Sequence, residues 1–182
     1  MADVTPFTWI LAAEAVVSTM AHWAEVGREP VVVLGDPSGD LSRCGCEDGN
    51  TAGQVLVTAG PVFFSGEQFP QSDILRRQLG ANCADVWATE VTVDFARCRP
   101  VFAADGRSQP TPATVKAHAE ALYADGQAIW KALLCAQAAW RGSIAPVVVD
   151  GWQPIQRDLG PCGGFSYRFT GRVGACDPCE AP

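Results

Sequence analysis

Cysteines are the residues of this 182-residue chain whose type and spacing are best suited to chemistry. Of the eight, four lie in two short motifs, a CxC at Cys44 and Cys46 and a CxxC at Cys176 and Cys179. Four thiolates can hold a tetrahedral zinc ion, and CxxC spacing is typical of such sites. CxC is a poorer chelate turn, however, and a long stretch of chain separates the two motifs. We therefore predict no metal site. Unligated thiols, disulfides formed late and a zinc-stabilised binding module remain the alternatives.

Cys162 lies in a glycine-rich turn, GPCGG at 160–164, between two β-rich runs. It is open to four interpretations: a metal ligand, half of a disulfide, a nucleophile or a small buried side chain. A cysteine nucleophile needs a base beside it, and neither histidine of the chain lies in a glycine-rich elbow. We expect His22 to be a partly buried helix histidine beside an apolar stripe, and His118 to be solvated.

Other patterns that would indicate catalysis are missing from the sequence. It contains no GxSxG motif, and GDPSGD at 35–40 places two aspartates beside its glycines, which disfavours phosphate binding. Neighbouring carboxylates such as Glu47 and Asp48 are best interpreted as solvated loop charge. We therefore predict a protein that is not an enzyme, with no catalytic or cofactor-binding residues and no cofactor.

The composition favours a protein that meets a partner through apolar surface. Charged residues make up only 18% of the chain, while six tryptophans and eight phenylalanines are many for this length. Large exposed apolar patches are uncommon on free monomers, although a generous core would explain the same composition. The net charge of −7 excludes a basic footprint for nucleic acid. It is compatible with lining a channel through which DNA slides without sticking.

No segment of the sequence reaches the ~20 apolar residues needed to cross a bilayer. The first residues, MADVTPFTWILAAEAVVSTMAHW, lack a basic region, and charged or polar residues interrupt their apolar run. We therefore predict no signal peptide, no membrane partner and folding in a reducing cytoplasm. Cysteines in that compartment are more often free or metal-bound than paired.

Apolar periodicity predicts two long helices. The first, 7–26, ends at Gly27 and carries a stripe at spacings of three and four, formed by Trp9, Ala13, Val16, Met20 and Trp23. The second, 111–139, begins with a Thr-Pro pair typical of an N-cap and first helical position. Its predicted apolar face consists of Val115, Ala119, Leu122, Ile129 and Leu133.

The predicted strands are 31–35, 54–60, 61–64, 86–98, 145–152 and 164–173. The clearest is 86–98, in which apolar and polar residues alternate: Trp87, Thr89, Val91, Val93 and Phe95 on one face and Glu90, Thr92 and Asp94 on the other. Most connections are too short for a helical crossover, so we predict an α+β fold, a mostly antiparallel β-sheet flanked by two long helices. All of 1–182 is expected to form a single domain: the N-terminal helix, the sheet with the second helix over 31–173, and a flexible C-terminal tail, 174–182.

Several stretches are similar to a known family. They are EVTVDFARCRPV, TPATVKAHAEALYADGQAIWKALLCAQAAW, VVVDGWQPIQRDLGPCGGFSYRFTGRV and the upstream CGC followed by GQVLVTAGPVFFSGEQFP. Together they resemble small head-to-tail connection proteins of long-tailed actinobacteriophages, and most of all the tail terminators. The resemblance covers most of 31–175. The family's last turn reads closer to Gly-Pro-x-Gly-Gly-Cys. Here Cys162 precedes the two glycines, so its pairing does not carry over.

The resemblance implies a structural virion protein at the tail–neck junction, assembled in the host cytoplasm. Tail terminators form a hexameric ring of α+β subunits that caps the tail tube and docks the tail to the head connector. The implied partners are further copies of the chain, the major tail tube protein and a head-to-tail connector or stopper protein, with DNA passing unbound through the lumen. Besides the zinc module, the alternatives are a head-to-tail stopper or other neck ring protein, and an enzyme with a site assembled between subunits.

The excursion 63–83 is our candidate for ring or tube contacts. Phe63, Phe64 and Phe69 are its candidate anchors because aromatic residues and arginine dominate binding hot spots. For Phe63 and Phe64, closing the core of the sheet itself is an equal alternative. Replacing Arg76 and Arg77 by Glu is expected to weaken ring or tail joining while the fold stays intact. In this interpretation Cys162 is a small side chain packed where two strands turn, near Cys98 or Cys135.

Overall fold

One five-stranded β-sheet with helices packed on one face forms the frame of the molecule. The computed structural model describes residues 4–35, 53–72, 86–98, 109–155 and 162–174. Its elements in chain order are α1 (Pro6–Ser18), α2 (Ala21–Val26), β1 (Val31–Gly35), β2 (Gln54–Phe64), a 3-10 turn (Gly66–Gln68), β3 (Trp87–Cys98), α3 (Pro112–Ser143), β4 (Val147–Pro154) and β5 (Cys162–Val173). This is a mixed α/β architecture, compatible with the α+β class.

The strand order of the sheet is β1-β2-β3-β5-β4. β1 runs parallel to β2, whereas the other three pairs are antiparallel. The sheet is therefore mixed, and the expected mostly antiparallel sheet is not confirmed. β3 does have the predicted alternation, because Val91, Val93 and Phe95 are fully buried on its helix-facing side.

The expected single helix over 7–26 is divided into α1 and α2, so the pair of long helices is not confirmed. The division falls at Met20, whose backbone is extended (φ −64°, ψ 126°). Just before it, the Thr19 hydroxyl donates to the Ala15 carbonyl, a local bond that competes with helix continuation. The turn allows the indole of Trp23 to donate to the Val17 carbonyl at 2.7 Å inside the core. The predicted stop at Gly27 is confirmed by its left-handed φ of 67°.

α3 begins where the Thr-Pro pair predicted, since the Thr111 hydroxyl accepts the Thr114 amide at 3.1 Å. Only part of its predicted apolar face is buried. Ile129 and Leu133 are fully buried, but Val115 is 48% exposed. Ala119 is also exposed and Leu122 is half-buried. The first turns of the helix therefore extend beyond the part of the sheet that the later turns cover.

The two strands predicted at 54–60 and 61–64 form one strand, β2. Its register against β3 shifts by one residue between Ala59 and Val62. This β-bulge lies at Gly60 and Pro61, and a proline is tolerated there because it has no amide proton to give to the ladder. The bulge thus lets β2 continue past a residue that would otherwise end the strand.

Trp9 on α1 is the centre of the helix-facing core. Its ring packs edge-on against Trp140 of α3 and Phe169 of β5, with centroid distances of 6.0 and 6.1 Å. Its indole N–H donates to the Arg172 carbonyl at 2.9 Å. A fully buried aromatic of this kind removes roughly 150–250 Å² from water, worth about 4–6 kcal/mol at 25 cal/mol per Å².

Gly171 has no side chain, and this leaves room for the Trp9 ring. A Cβ added at Gly171 would lie 2.3 Å from Cε2 of Trp9, so Gly171→Ala should lower the free energy of unfolding by about 1–3 kcal/mol through overpacking. The matched control is Gly142→Ala in α3, where an added Cβ meets nothing within 4 Å and stability should not fall. Urea unfolding of both variants measures the difference, and equal stabilities would contradict this account of the core.

Candidate functional site

A buried carboxylate, Asp125, joins three elements of the fold. One of its oxygens accepts the Nε2 hydrogen of His22 on α2 at 2.8 Å, and the other accepts from Nη1 of Arg97 at the end of β3 at 2.6 Å. Asp125 is 3% exposed. Each carboxylate oxygen therefore has its own donor, which offsets the cost of removing the charge from water.

The residue after Asp125 brings the aromatic core close to this cluster. A Cβ on Gly126 would lie 2.8 Å from the Phe165 ring and 3.1 Å from the Tyr167 hydroxyl. The Tyr167 hydroxyl donates to the Gly126 carbonyl at 2.9 Å. Burial, and secondly the negative charge of Asp125, raise the pKa of Tyr167 well above its ordinary value. The phenol is thereby held in its protonated, donating form.

The Asp125 cluster is suited to holding elements together. It pins the short α2 to α3 and to β3, and within the described ranges no group of three or more His, Cys, Asp or Glu side chains is arranged to hold a metal ion. His22 is partly buried, as predicted. His118 is half-buried and not solvated, which corrects that expectation. The sequence interpretation missed Asp125, although an acidic residue beside a glycine within the apolar stripe of α3 was a usable signal.

A shallow cleft lies on the face of the sheet away from the helices, beside the bulge in β4 between Val149 and Gly151. The cleft has a volume of ≈ 210 Å³, and its lining residues are Asp150, Gly151, Trp152, Gln153, Ser166 and Arg168. The Asp150 carboxylate accepts the Thr170 hydroxyl hydrogen at 3.1 Å. Partial burial raises the pKa of Asp150, against the opposing effects of the Thr170 hydrogen bond and the Arg168 charge. The cleft is thus a surface feature whose lining carries both signs of charge, from Asp150 and Arg168.

The two edge strands of the sheet, β4 and β1, differ in their contacts with the rest of the chain. On β4, the Val149 amide donates to Oε1 of Gln137 and the Val147 carbonyl accepts from Nε of Arg141, both at 2.9 Å. These α3 side chains satisfy two outward backbone groups at the start of β4. β1 is the other end of the strand order. Val31 is 46% and Leu34 is 40% exposed there. An edge strand with exposed apolar residues is a template for pairing with another chain.

The candidate anchors of the excursion 63–83 differ in how deeply their side chains are buried. Phe64 is 1% exposed and packs edge-on against Trp87 with a centroid distance of 5.9 Å, so it closes the core of this chain. Phe63 and Phe69 are half-buried. Arg76 and Arg77 lie outside the described residues. Large apolar side chains that are substantially exposed occur instead on α1, β1, β2 and α3: Phe7, Leu11, Val31, Leu34, Val62, Val115, Tyr123 and Leu134.

Cys162 is the first residue of β5 and lies directly opposite Cys98, the last residue of β3. The expected proximity to Cys98 is confirmed, and both cysteines are disulfide-bonded. Cys162 is therefore a disulfide half with a fully buried side chain. This corrects the preference for free or metal-bound thiols at these two positions, whereas Cys135 is a free, exposed thiol. The four cysteines of the zinc alternative lie outside the described residues: Cys44, Cys46, Cys176 and Cys179.

No model of a known protein family matches the chain, and no curated protein matches it significantly. Among the helices of the described ranges, none is long and apolar enough to cross a membrane.

The Asp125 cluster predicts a large effect of one conservative substitution. Asp125→Asn removes the charge that compensates Arg97, so it should lower the free energy of unfolding by about 3 kcal/mol. The control is Glu120→Gln, which breaks the exposed Lys116–Glu120 pair at 3.7 Å and should cause no measurable change. Chemical unfolding compares the two. A stability for Asp125→Asn equal to that of the control would show that the cluster does not hold the fold together.

The raised pKa of Tyr167 predicts a loss of stability in alkali. The folded state holds the phenol proton more tightly than the unfolded chain, so stability is fully present below the ordinary tyrosine pKa, about 10, and falls as the pH rises above it. Tyr167→Phe should lose about 1 kcal/mol at neutral pH with its hydrogen bond and should show a weaker alkaline loss than the parent protein. Urea unfolding from pH 8 to 11 measures both, and parallel pH profiles would contradict the assignment.

Proposed function

We propose that the chain is a phage tail terminator, a structural virion protein whose ring of identical subunits caps the tail tube and joins the tail to the head connector. The observation that carries the proposal is the exposure of large apolar side chains on separate elements, among them Leu34 on β1 and Val115 on α3. A closed head-to-tail ring needs two different, complementary patches on every subunit. The resemblance in sequence supplies the identity and the number of six subunits.

The β1 edge is the first patch in this proposal. Because Val31 donates to Gly53 on the β2 side, alternation along the strand turns the backbone groups of Val32 and Leu34 outward. These groups lie beside the exposed side chains of Val31 and Leu34. On the opposite edge strand, β4, Arg141 and Gln137 hydrogen-bond the backbone of Val147 and Val149. We therefore assign the contact with one neighbouring subunit to β1.

The first turns of α3 are the second patch. Val115 and Ala119 continue, at helical spacing, the stripe that carries Ile129 and Leu133 into the core. No described element of the same subunit buries them. An apolar stripe of this kind typically packs against another element, and in a ring that element belongs to the next subunit.

The charge supports the same function. At a net charge of −7, a ring of such subunits would repel the DNA phosphates, so that DNA slides through the lumen without being retained. The described sites are those expected of a structural protein. The Asp125 cluster joins elements of the fold, and the cleft beside β4 is a shallow surface feature.

The proposal is tested by native mass spectrometry of the purified protein, alone and with purified tail tubes, with metal content measured on the same sample. We expect closed rings at the tube end, visible by electron microscopy. Rings that bind a head connector but not tubes would favour the stopper alternative. A zinc-bearing monomer that ignores tubes would favour the binding module, and a metal-free monomer that ignores them would also overturn the proposal.

The assignment of β1 to the ring contact predicts a contrast between two equally exposed leucines. Leu34 is 40% and Leu134 is 41% exposed. Leu34→Lys, at the β1 edge, should weaken ring formation at least about tenfold, because a charge there would be desolvated against the neighbouring subunit. Leu134→Lys, on α3 away from both patches, is the matched control. Light scattering measures association and thermal unfolding checks the fold, and normal rings from Leu34→Lys would refute this assignment.

A further inference from the structure

The second half of β4 has an open backbone edge. At its end the Ile155 amide donates to the Gly164 carbonyl on the β5 side at 3.0 Å. Alternation along the strand therefore turns the backbone groups of Trp152 and Pro154 away from β5. The α3 side chains that bond β4 reach only as far as Val149. Within the described ranges, no residue hydrogen-bonds the outward groups of the second half of the strand.

β1, at the other end of the strand order, has an edge of the same kind. Its outward backbone groups belong to Val32 and Leu34. Neither β1, with the sequence VVVLG, nor the segment GWQP at 151–154 of β4 carries a charged side chain. Edge strands of soluble proteins are usually protected from pairing by charges, bulges or a covering element. Both of these edges lack a charge, so each can accept a further strand.

The residues with outward backbone groups have their side chains on the same face of the sheet. Val32 lies opposite Val55 of β2, and Trp152 lies opposite Tyr167 of β5. All four side chains belong to, or pack against, the helix-facing cluster. Residues that face each other across two paired strands point to the same face. Pairing β1 with the second half of β4 would therefore continue the apolar face that the helices cover.

We propose that β1 of one subunit pairs with the second half of β4 of the next subunit, so that the sheet continues around the ring. This inference rests on the proposed function and specifies which surface receives β1. The contact is antiparallel, because β1 and β4 run in opposite directions within one sheet and the next subunit repeats that order. Leu34 lies opposite Trp152 and Val32 opposite Pro154, which is the register that pairs both outward residues of each strand.

This register also brings exposed apolar side chains together. Leu34 would lie beside Tyr123 of α3 in the next subunit, because the Tyr123 ring contacts Trp152 with a centroid distance of 6.3 Å. Both Leu34 and Tyr123 are exposed in the single subunit. Tyr123 follows Val115 and Ala119 at helical spacing. The open edge of β4 and the first turns of α3 thus form one continuous surface for the neighbouring subunit.

A cross-link between two different variants tests the register. Val33 and Gln153 would lie opposite each other at a pair without mutual backbone hydrogen bonds, where side chains approach most closely. Val33→Cys and Gln153→Cys are made separately in full-length Cys135→Ala chains, which lack the exposed free thiol. Each variant alone, and the two mixed, are oxidised mildly with and without purified tail tubes. We expect a covalent dimer only in the mixture, joined between positions 33 and 153 as identified by peptide mass spectrometry.

A proline substitution tests the backbone contact. The Leu34 amide points away from β2, so Leu34→Pro removes a donor that the sheet of its own subunit does not use. Leu34→Ala is the matched control, because it shortens the side chain but keeps the amide proton. Leu34→Pro should associate about tenfold more weakly than Leu34→Ala in light scattering, since the facing Trp152 carbonyl would be left without a donor. Thermal unfolding should give both variants a similar Tm.

Three results would overturn the proposal. They are a covalent dimer from Val33→Cys alone, which indicates two-fold pairing of β1 with β1, the absence of the expected disulfide from the mixture, and equal association of Leu34→Pro and Leu34→Ala. Rings that cap tubes without the cross-link would refute this contact and leave the terminator function standing. The cross-link in assemblies that ignore tubes would support the contact and refute the terminator function.

Discussion

The uninterrupted antiparallel pairing of β3 with β5 is the constraint on which the rest of the structure depends. It runs without a register shift from Trp87 opposite Val173 to Cys98 opposite Cys162. Because side chains alternate across a strand, this register sends Val93, Phe95 and Tyr167 to the helix side. A slip of one residue would turn the apolar side chains of one of the two strands to the opposite face of the sheet. The neighbouring pairs, by contrast, have their bulges in β2 and β4, the strands on either side of this pair.

The two faces produced by this register have different means of stabilisation. The helix side relies on packing, with Trp9 seated over Gly171 and the Asp125 cluster holding α2 in place. The other face carries polar residues, the cleft beside β4 and one small apolar cluster at the sheet end. Cys98 and Cys162, which are both disulfide-bonded, belong to this small cluster.

The positions of the exposed apolar residues depend on how α3 lies across the sheet. The later turns of α3 hydrogen-bond the start of β4, while its first turns expose Val115. β1 is the strand at the other edge, with Val31 and Leu34 exposed. One long helix therefore contacts one edge of the sheet and presents a separate apolar patch, an asymmetry that the proposed ring would use.

Features that depend on near neighbours in the sequence were determined by the sequence itself. The alternation of β3, the left-handed stop at Gly27 and the N-cap at Thr111 all followed from side-chain type and local backbone preference. These features involve residues a few positions apart, or strands whose periodicity is strong. For Cys162 the sequence left two neighbours open, Cys98 and Cys135, and the register of β3 with β5 decided for Cys98.

Tertiary structure decided what depends on distant partners. The break at Met20 serves the placement of Trp23 and His22, and the periodicity of 7–26 contains no trace of it. The charge of Asp125 can be buried only because His22 and Arg97 reach it from elements far away in the chain. Whether Val115 is core or surface depends on where the sheet ends beneath α3. Local pattern specifies which face of an element is apolar, but only the assembled fold specifies what covers that face.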